Sequence, residues 1–176
     1  MSGGILSLDV ATSSGWAYGA AGEPPQHGVF TIPPSGDDLG RYGVEFIKWL
    51  SAKIRELRPR EIVFEAPILP AKTNITTTRK LHGLALLVEC VANLEAVPCS
   101  EISNAEWRRQ FLGPYYPAKP TRDDLKRAVI AACRGMGWNP RGDDDADALG
   151  LLYVVNCRRN QAAAAHDAVS RMEGSA

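Results

Sequence analysis

Short apolar runs bounded by turn residues recur in the first part of the chain and predict strands. Residues 4–10 (GILSLDV) lie between glycines and an Ala-Thr-Ser-Ser-Gly turn, so a first strand should end near Asp9. Residues 16–19 and 28–32 predict two more short strands, which form a meander with the first. The segment Glu61–Glu65 (EIVFE) predicts a buried strand that ends there because Pro67 follows closely.

Five segments carry helical periodicity or helix-start signals. They are residues 35–57, 81–94, 103–111, 121–133 and 144–156. Ser103 and Glu106 have the spacing of a capping box, and Thr121 with Asp124 repeats that pattern. We therefore expect these two helices to begin directly after Ser103 and Thr121.

The remaining segments complete a predicted order of β-β-β-α-β-α-β-α-α-α. Residues 71–78 form a polar, Thr-rich segment that predicts a loop, and residues 97–102 predict a fifth strand. This order is typical of an α/β domain in which helices cover both faces of a mixed sheet. We expect one domain over residues 1–159, followed at residues 160–176 by an Ala-rich, polar tail that is frayed or disordered.

Composition adds mainly exclusions. With 176 residues, 45% of them hydrophobic, the chain is long enough for one globular domain with a core. No apolar run reaches the roughly 18 residues of a membrane helix, and no signal-like segment opens the chain, so the expected location is the cytoplasm. Four widely spaced cysteines predict reduced thiols rather than a zinc site. Because the formal net charge is zero, any binding of nucleic acid must depend on local positive charge.

Four carboxylates stand where a soluble domain gains little from them. Asp9 and Glu65 each end an apolar strand, where an unpaired buried charge is costly. Asp144 and Asp147 are three residues apart near a helix start, so they project from one face. Each has an ordinary alternative role, since Asp9 could form a turn and acidic residues at a helix start interact favourably with the helix dipole. The combination of all four points to a site.

A divalent cation would neutralise such a cluster. Carboxylate oxygens suit Mg²⁺, with Mn²⁺ as a substitute. Two ions about 3.5–4 Å apart can stabilise both the attacking water and the leaving oxygen of a phosphodiester. The acidic residues therefore predict phosphodiester hydrolysis at a site that holds two ions.

The motifs LSLDVATSSGWA, IVFEAP and DDDADALG resemble the acidic motifs of RuvC-type Holliday-junction resolvases in the RNase H-like superfamily, particularly their short phage and prophage members. The resemblance covers residues 5–155 and implies a five-stranded mixed sheet, a homodimer and Mg²⁺-dependent paired nicking of four-way DNA junctions. It assigns the catalytic, metal-binding carboxylates to Asp9, Glu65, Asp144 and Asp147. The other two aspartates of DDDADALG would point elsewhere on the helix.

Basic and exposed residues around these motifs are the expected DNA contacts. The resemblance places a basic residue at Arg122 and a wedge residue at Ile68, where many family members have an aromatic side chain. Local positive charge and an aromatic loop add further candidates, which are Lys72, Arg79, Lys80, Tyr115, Lys119 and Lys126. For any single Lys or Arg the ordinary role is a solvated helix face.

Other interpretations fit part of the sequence. The segment LDVATSSGWA also resembles the first phosphate loop of actin-like kinases and ATPases, although the Gly-rich adenosine motif of those proteins is not evident. A module that binds branched DNA without cutting it is a second alternative. A broader branched-DNA, flap or RNA-directed nuclease of the same superfamily is a third.

Overall fold

A five-stranded mixed sheet forms the centre of the protein. The structure is a computed structural model that describes residues 3–68 and 74–173, with side chains through residue 165. The strands are β1 (Ile5–Asp9), β2 (Ser13–Gly19), β3 (Gln26–Thr31), β4 (Glu61–Glu65) and β5 (Cys99–Ile102). Their order across the sheet is β3-β2-β1-β4-β5. The meander β1-β2-β3 is antiparallel, and β4 and β5 add in parallel to β1.

Helices cover both faces of this sheet. They are α1 (Leu39–Leu57), α2 (Ile75–Leu94), α3 (Asn104–Leu112), α4 (Arg122–Gly135) and α5 (Asp143–Glu173). Alternation along β1 divides the core, because Leu6 and Leu8 pack with α1 and α2 while Ile5 packs with α3, α4 and α5. The α/β class and the layered arrangement predicted from the sequence are therefore confirmed.

The bounds of β4 and the capping box of α4 match the sequence predictions. Strand β4 has the predicted bounds, Glu61–Glu65, and β1 ends at Asp9. Thr121 caps α4 through a full capping box with Asp124. The capping box predicted at Ser103 is wrong, since Ser103 occupies the N-cap position of α3 without a side-chain hydrogen bond.

The bounds of α2 and α5 differ from the prediction. Helix α2 begins at Ile75, inside the predicted loop, because the Asn74 side chain accepts a hydrogen bond from the amide of Thr77 at 2.8 Å and caps it. Residues 69–73 lie outside the described residues. Helix α5 continues past Asn156 to Glu173, through a segment that contains neither Gly nor Pro.

The sheet topology brings the ends of β1 and β4 together. Both strands run in the same direction as neighbours, with Leu8 paired to Phe64, so Asp9 and Glu65 emerge at one edge. Helix α5 crosses the same edge and contacts β2 very closely. A Cβ atom on Gly15 would overlap the carbonyl of Asp144, so this position requires glycine. The first turn of α5 is thereby held beside the ends of the two strands.

No helix among the described residues is both long enough and apolar enough to cross a membrane.

Candidate active site

Three of the four predicted carboxylates line one cavity. Asp9 at the end of β1, Glu65 at the end of β4 and Asp147 in the second turn of α5 surround a space of about 530 Å³. Three elements that are distant in sequence therefore place acidic side chains around a common volume. The structure thus fulfils the geometric requirement of the hypothesis that these residues act together.

Helix α3 fixes the position of Glu65. The Asn104 side-chain amide donates a hydrogen bond to Oε1 of Glu65, and the indole Nε1 of Trp107 donates one to Oε2 at 3.0 Å. Trp107 is fully buried, so its ring cannot turn away without disrupting the core. Asn104 and Trp107 are three residues apart and lie on one face of α3. The orientation of the Glu65 carboxylate is therefore determined by the fold.

Arg108, on the same face of α3, lies between Glu65 and Asp147. One of its terminal nitrogens donates to Oδ2 of Asp147 and lies 3.8 Å from Oε1 of Glu65, and the other donates to Oδ1 of Asn104. The side chains of Arg108, Glu65 and Asp147 are 15%, 9% and 7% exposed, so this is a buried charge cluster. Such a cluster gains from pairing because solvent cannot neutralise it.

Burial raises the pKa values of the carboxyl groups in this cavity. The pKa of Asp9 lies well above its usual value because the group is buried and because Glu65 and Asp147 are nearby acids. Burial raises the pKa of Glu65 to about 7, against the opposing effect of the Arg108 charge. The pKa of Asp147 is also raised by burial, again opposed by Arg108. Clustered acids with raised pKa values in a cavity are typical of functional sites.

The three consecutive aspartates of α5 have different environments. Asp143 lines the cavity and pairs with Lys126, so the expectation that it points elsewhere is wrong. Asp144 lies beside Ser13 and close enough to Asp9 to raise the pKa of Asp9, but it is not among the cavity-lining side chains. Asp145 does turn away, and its carboxylate accepts hydrogen bonds from the amides of Arg141 and Gly142, each at 2.9 Å.

The predicted DNA contacts separate into two groups. Arg122, Lys126 and Ile68 line the acidic cavity, and Ile68 is 59% exposed at its edge. The others lie away from it or outside the described residues, and they are Arg79, Lys80, Tyr115, Lys119 and Lys72. Lys80 lies 5.0 Å above the ring of Tyr42, between α1 and α2. Lys72 falls in the segment that the structure does not describe.

The donor set of the cavity fits a hard divalent cation. Oδ1 of Asp147 is buried and has no hydrogen-bond partner among the described residues, so it is available to coordinate an ion. Carboxylate oxygens are the ligands that Mg²⁺ prefers. Within residues 3–68 and 74–173, no three acidic, His or Cys side chains are spaced for direct coordination as they stand. In this arrangement the Arg108 guanidinium pairs with Asp147 and lies 3.8 Å from Glu65.

Comparison with solved structures identifies the fold. The chain is similar to Thermus thermophilus RuvC in complex with a Holliday junction substrate, with a TM-score of 0.63, 14% identity, and coverage of 86% of this chain and 91% of that chain. The chain has the RuvC fold. A second Thermus thermophilus RuvC structure matches with a TM-score of 0.62 and 14% identity over 89% and 96% of the two chains. The yeast mitochondrial Holliday junction resolvase Ydc2 matches with a TM-score of 0.63 and 11% identity over 87% and 77%.

These matches confirm the RuvC-type, RNase H-like fold that the acidic motifs predicted. No protein-family model matches the chain, and no curated protein matches it. Three short sequence motifs and the course of the backbone therefore both indicate the RuvC fold, although sequence identity to the solved structures is only 11–14%.

Sequence reasoning missed the part of the site that α3 contributes. Asn104, Trp107 and Arg108 are not among the candidate site residues that the sequence patterns indicate. Trp107 is fully buried, and its indole nitrogen donates a hydrogen bond to Glu65. A usable signal existed, since positions 104, 107 and 108 share one helix face directly after a strand that neighbours β4.

Proposed function

We propose that the protein is a divalent-metal-dependent, structure-selective endodeoxyribonuclease that resolves four-way DNA junctions by paired nicks. The observation that carries this proposal is the meeting of Asp9, Glu65 and Asp147 around one cavity in a RuvC fold. Buried carboxylates with raised pKa values are costly unless they bind a cation or a proton. Divalent ions bound to these carboxylates would remove that cost, and the same ions would act on the phosphodiester.

The residues that line or support the cavity have different proposed roles, which follow from where each one lies. Asp9, Glu65 and Asp147 would hold Mg²⁺ or Mn²⁺, with Asp144 contributing from the first turn of α5. Ions held there would supply a coordinated water of lowered pKa and positive charge beside the phosphate. Asn104 and Trp107 keep the Glu65 carboxylate oriented toward the cavity. Arg122 and Lys126 line the same cavity and supply positive charge for a DNA phosphate.

Paired nicking needs two sites, and we propose that a second copy of the chain supplies the other one. Helix α2 has a face that no other described element covers, and Gly83, Leu86, Cys90 and Leu94 follow one another along it at helical spacing. Leu86 and Leu94 are 59% and 81% exposed, and a Cβ on Gly83 would contact nothing within 4 Å. Exposed apolar surface of this kind favours association. Oxidative cross-linking at the exposed Cys90, compared with Cys90→Ser, tests whether this face joins two copies.

One set of assays tests the activity. A labelled mobile four-way junction is incubated with the protein beside matched flap, linear duplex and RNA–DNA hybrid substrates, in Mg²⁺, Mn²⁺ or EDTA. We expect symmetric nicks in the junction with either ion and none in EDTA. Asp147→Asn should abolish cleavage and leave junction binding intact, since the loss of an acid reduces repulsion of phosphate.

Other outcomes of these assays favour the alternatives. Equal cleavage of the flap or hybrid substrate would indicate a broader nuclease of the same fold. Tight junction binding without nicking in either ion would indicate a non-cleaving module. Thermal stabilisation by ATP, with no effect of DNA, would support the actin-like interpretation and contradict the proposal.

A further inference from the structure

Arg108 lies in the acidic cavity between Glu65 and Asp147. Its guanidinium contacts Asp147 and lies 3.8 Å from Glu65, on the cavity side of both carboxylates. No other Lys or Arg among the described residues forms an ion pair with either acid. In this state the positive charge nearest to the two buried acids is part of the protein.

The contacts of Arg108 are incomplete. Its Nε is buried and has no hydrogen-bond partner among the described residues, and the same is true of Oδ1 of Asp147. Both orphaned atoms belong to the same ion pair. A buried polar atom without a hydrogen-bond partner carries the penalty of its lost hydration. Arg108 therefore satisfies only one oxygen of Asp147, whereas a ligand that binds both oxygens would stabilise this carboxylate more.

A divalent ion that engages both oxygens of Asp147 would share Oδ2 with the Arg108 guanidinium, so the two cations would compete for Asp147 and for the space beside Glu65. The other terminal nitrogen of Arg108 donates a hydrogen bond to Asn104, and the guanidinium lies 5.0 Å from the ring of Trp107. These contacts keep it beside the cavity when it leaves the carboxylates.

We propose that Arg108 is the internal counter-cation of this cavity and competes with the divalent ion for Glu65 and Asp147, so that it sets the metal affinity. The inference rests on the proposed function, because it requires that the cavity bind metal. Arg108 protects the folded, metal-free protein from repulsion between its buried acids. The same residue makes the protein bind metal more weakly than its carboxylates alone would.

Titration calorimetry with Mn²⁺ on the full chain tests this competition without measuring cleavage. The variants are Arg108→Gln, Arg108→Lys, Lys126→Gln and Asp147→Asn. Arg108→Gln should bind Mn²⁺ about 5–150-fold more tightly than the unchanged protein, the usual range for coupling between two ligands. Arg108→Lys should bind Mn²⁺ with an affinity between those of Arg108→Gln and the unchanged protein. It also tests the inference if the Gln variant does not fold. Lys126→Gln removes a cavity-lining positive charge that pairs with Asp143, so it measures the effect of charge alone.

A second readout is the melting temperature. In EDTA, Arg108→Gln should melt below the unchanged protein, because Glu65 and Asp147 lose their partner. Added Mn²⁺ should raise its melting temperature by more than that of the unchanged protein. The exposed neighbour Arg109, changed to Gln, should show neither effect.

The outcomes separate the inference from the proposed function. Unaltered or weaker Mn²⁺ binding in Arg108→Gln, with binding that Asp147→Asn abolishes, would overturn the competition and leave the metal site in place. Equal tightening by Lys126→Gln would overturn it too, because the effect would then be one of charge alone. Binding that Asp147→Asn does not weaken, or no Mn²⁺ binding by any variant, would overturn the metal site and the inference together.

Discussion

Replacement of Gly15 by Ala should damage the site without touching any acidic residue. The new methyl group would overlap the carbonyl of Asp144 and lie 2.9 Å from the amide nitrogen of Asp145. Ordinary contact begins at 3.4 Å, so that nitrogen must retreat by about 0.5 Å and the carbonyl by more. Overpacking of this kind costs about 1–3 kcal/mol. For a chain of this length the melting temperature should fall by roughly 2–12 °C.

The same displacement moves the first turns of α5 relative to β1 and β4. Asp144 and Asp147 would shift away from Asp9 and Glu65, and a misplacement of about 1 Å can cost 10²-fold in rate. Junction cleavage in Mg²⁺ should therefore fall more than the loss of folded protein explains. Gly135→Ala is the control, because a Cβ there contacts nothing within 4 Å. Unchanged cleavage and melting temperature in Gly15→Ala would refute the close contact as the device that places α5.

Three further predictions concern groups around the cavity. The pKa of Glu65 is raised from 4.5 to about 7, so its contribution to stability is full below pH 4.5 and is lost as the pH rises through 7. Over that pH range, urea unfolding in EDTA should show that the unchanged protein loses about 3 kcal/mol more unfolding free energy than Glu65→Gln. Equal losses in the two proteins would contradict this. Trp107→Phe removes the hydrogen bond that lowers the pKa of Glu65, so nuclear magnetic resonance titration should show a higher pKa, and an unchanged value would exclude that contact. Asp145→Asn should cost about 1–3 kcal/mol of unfolding free energy, since one amide oxygen replaces two acceptors for Arg141 and Gly142. A loss below 0.5 kcal/mol, the range of ordinary surface changes, would contradict it.

The parts of the site that could be predicted are those that strand ends determine. Asp9 and Glu65 interrupt apolar runs, and adjacent parallel strands must bring such residues to one edge of a sheet. The burial of acids is visible in the sequence because the neighbours of each acid are apolar. For this reason the sequence predicts both the fold class and the meeting of Asp9 and Glu65 at one edge of the sheet.

The rotation of a helix about its axis is harder to predict. The acidic motif supplies candidates at 143, 144 and 147, and the sequence alone does not show which of the first two faces the cavity. In the structure the contact of Gly15 with the carbonyl of Asp144 fixes that rotation, and Asp143 lines the cavity with Asp147. The two positions are four apart, which is also one helix face. A tertiary contact between β2 and α5 therefore decides what spacing alone cannot.

The contribution of α3 was missed for a similar reason. Arg108 has the appearance of a surface cation in a polar helix with Glu106, Arg109 and Gln110. Its role depends on the packing of α3 against α5, which places its guanidinium beside Asp147. Single-sequence reasoning predicts an exposed role for such a residue, and only the assembled layers reveal the buried one.

The most direct test of the metal site is a crystal of the protein grown or soaked with Mn²⁺ and measured for anomalous scattering. We expect an anomalous peak in contact with carboxylate oxygens of Asp9 and Asp147, with the Arg108 guanidinium displaced from Asp147. A peak elsewhere on the surface, or no peak with Arg108 still bound to Asp147 at saturating Mn²⁺, would contradict it.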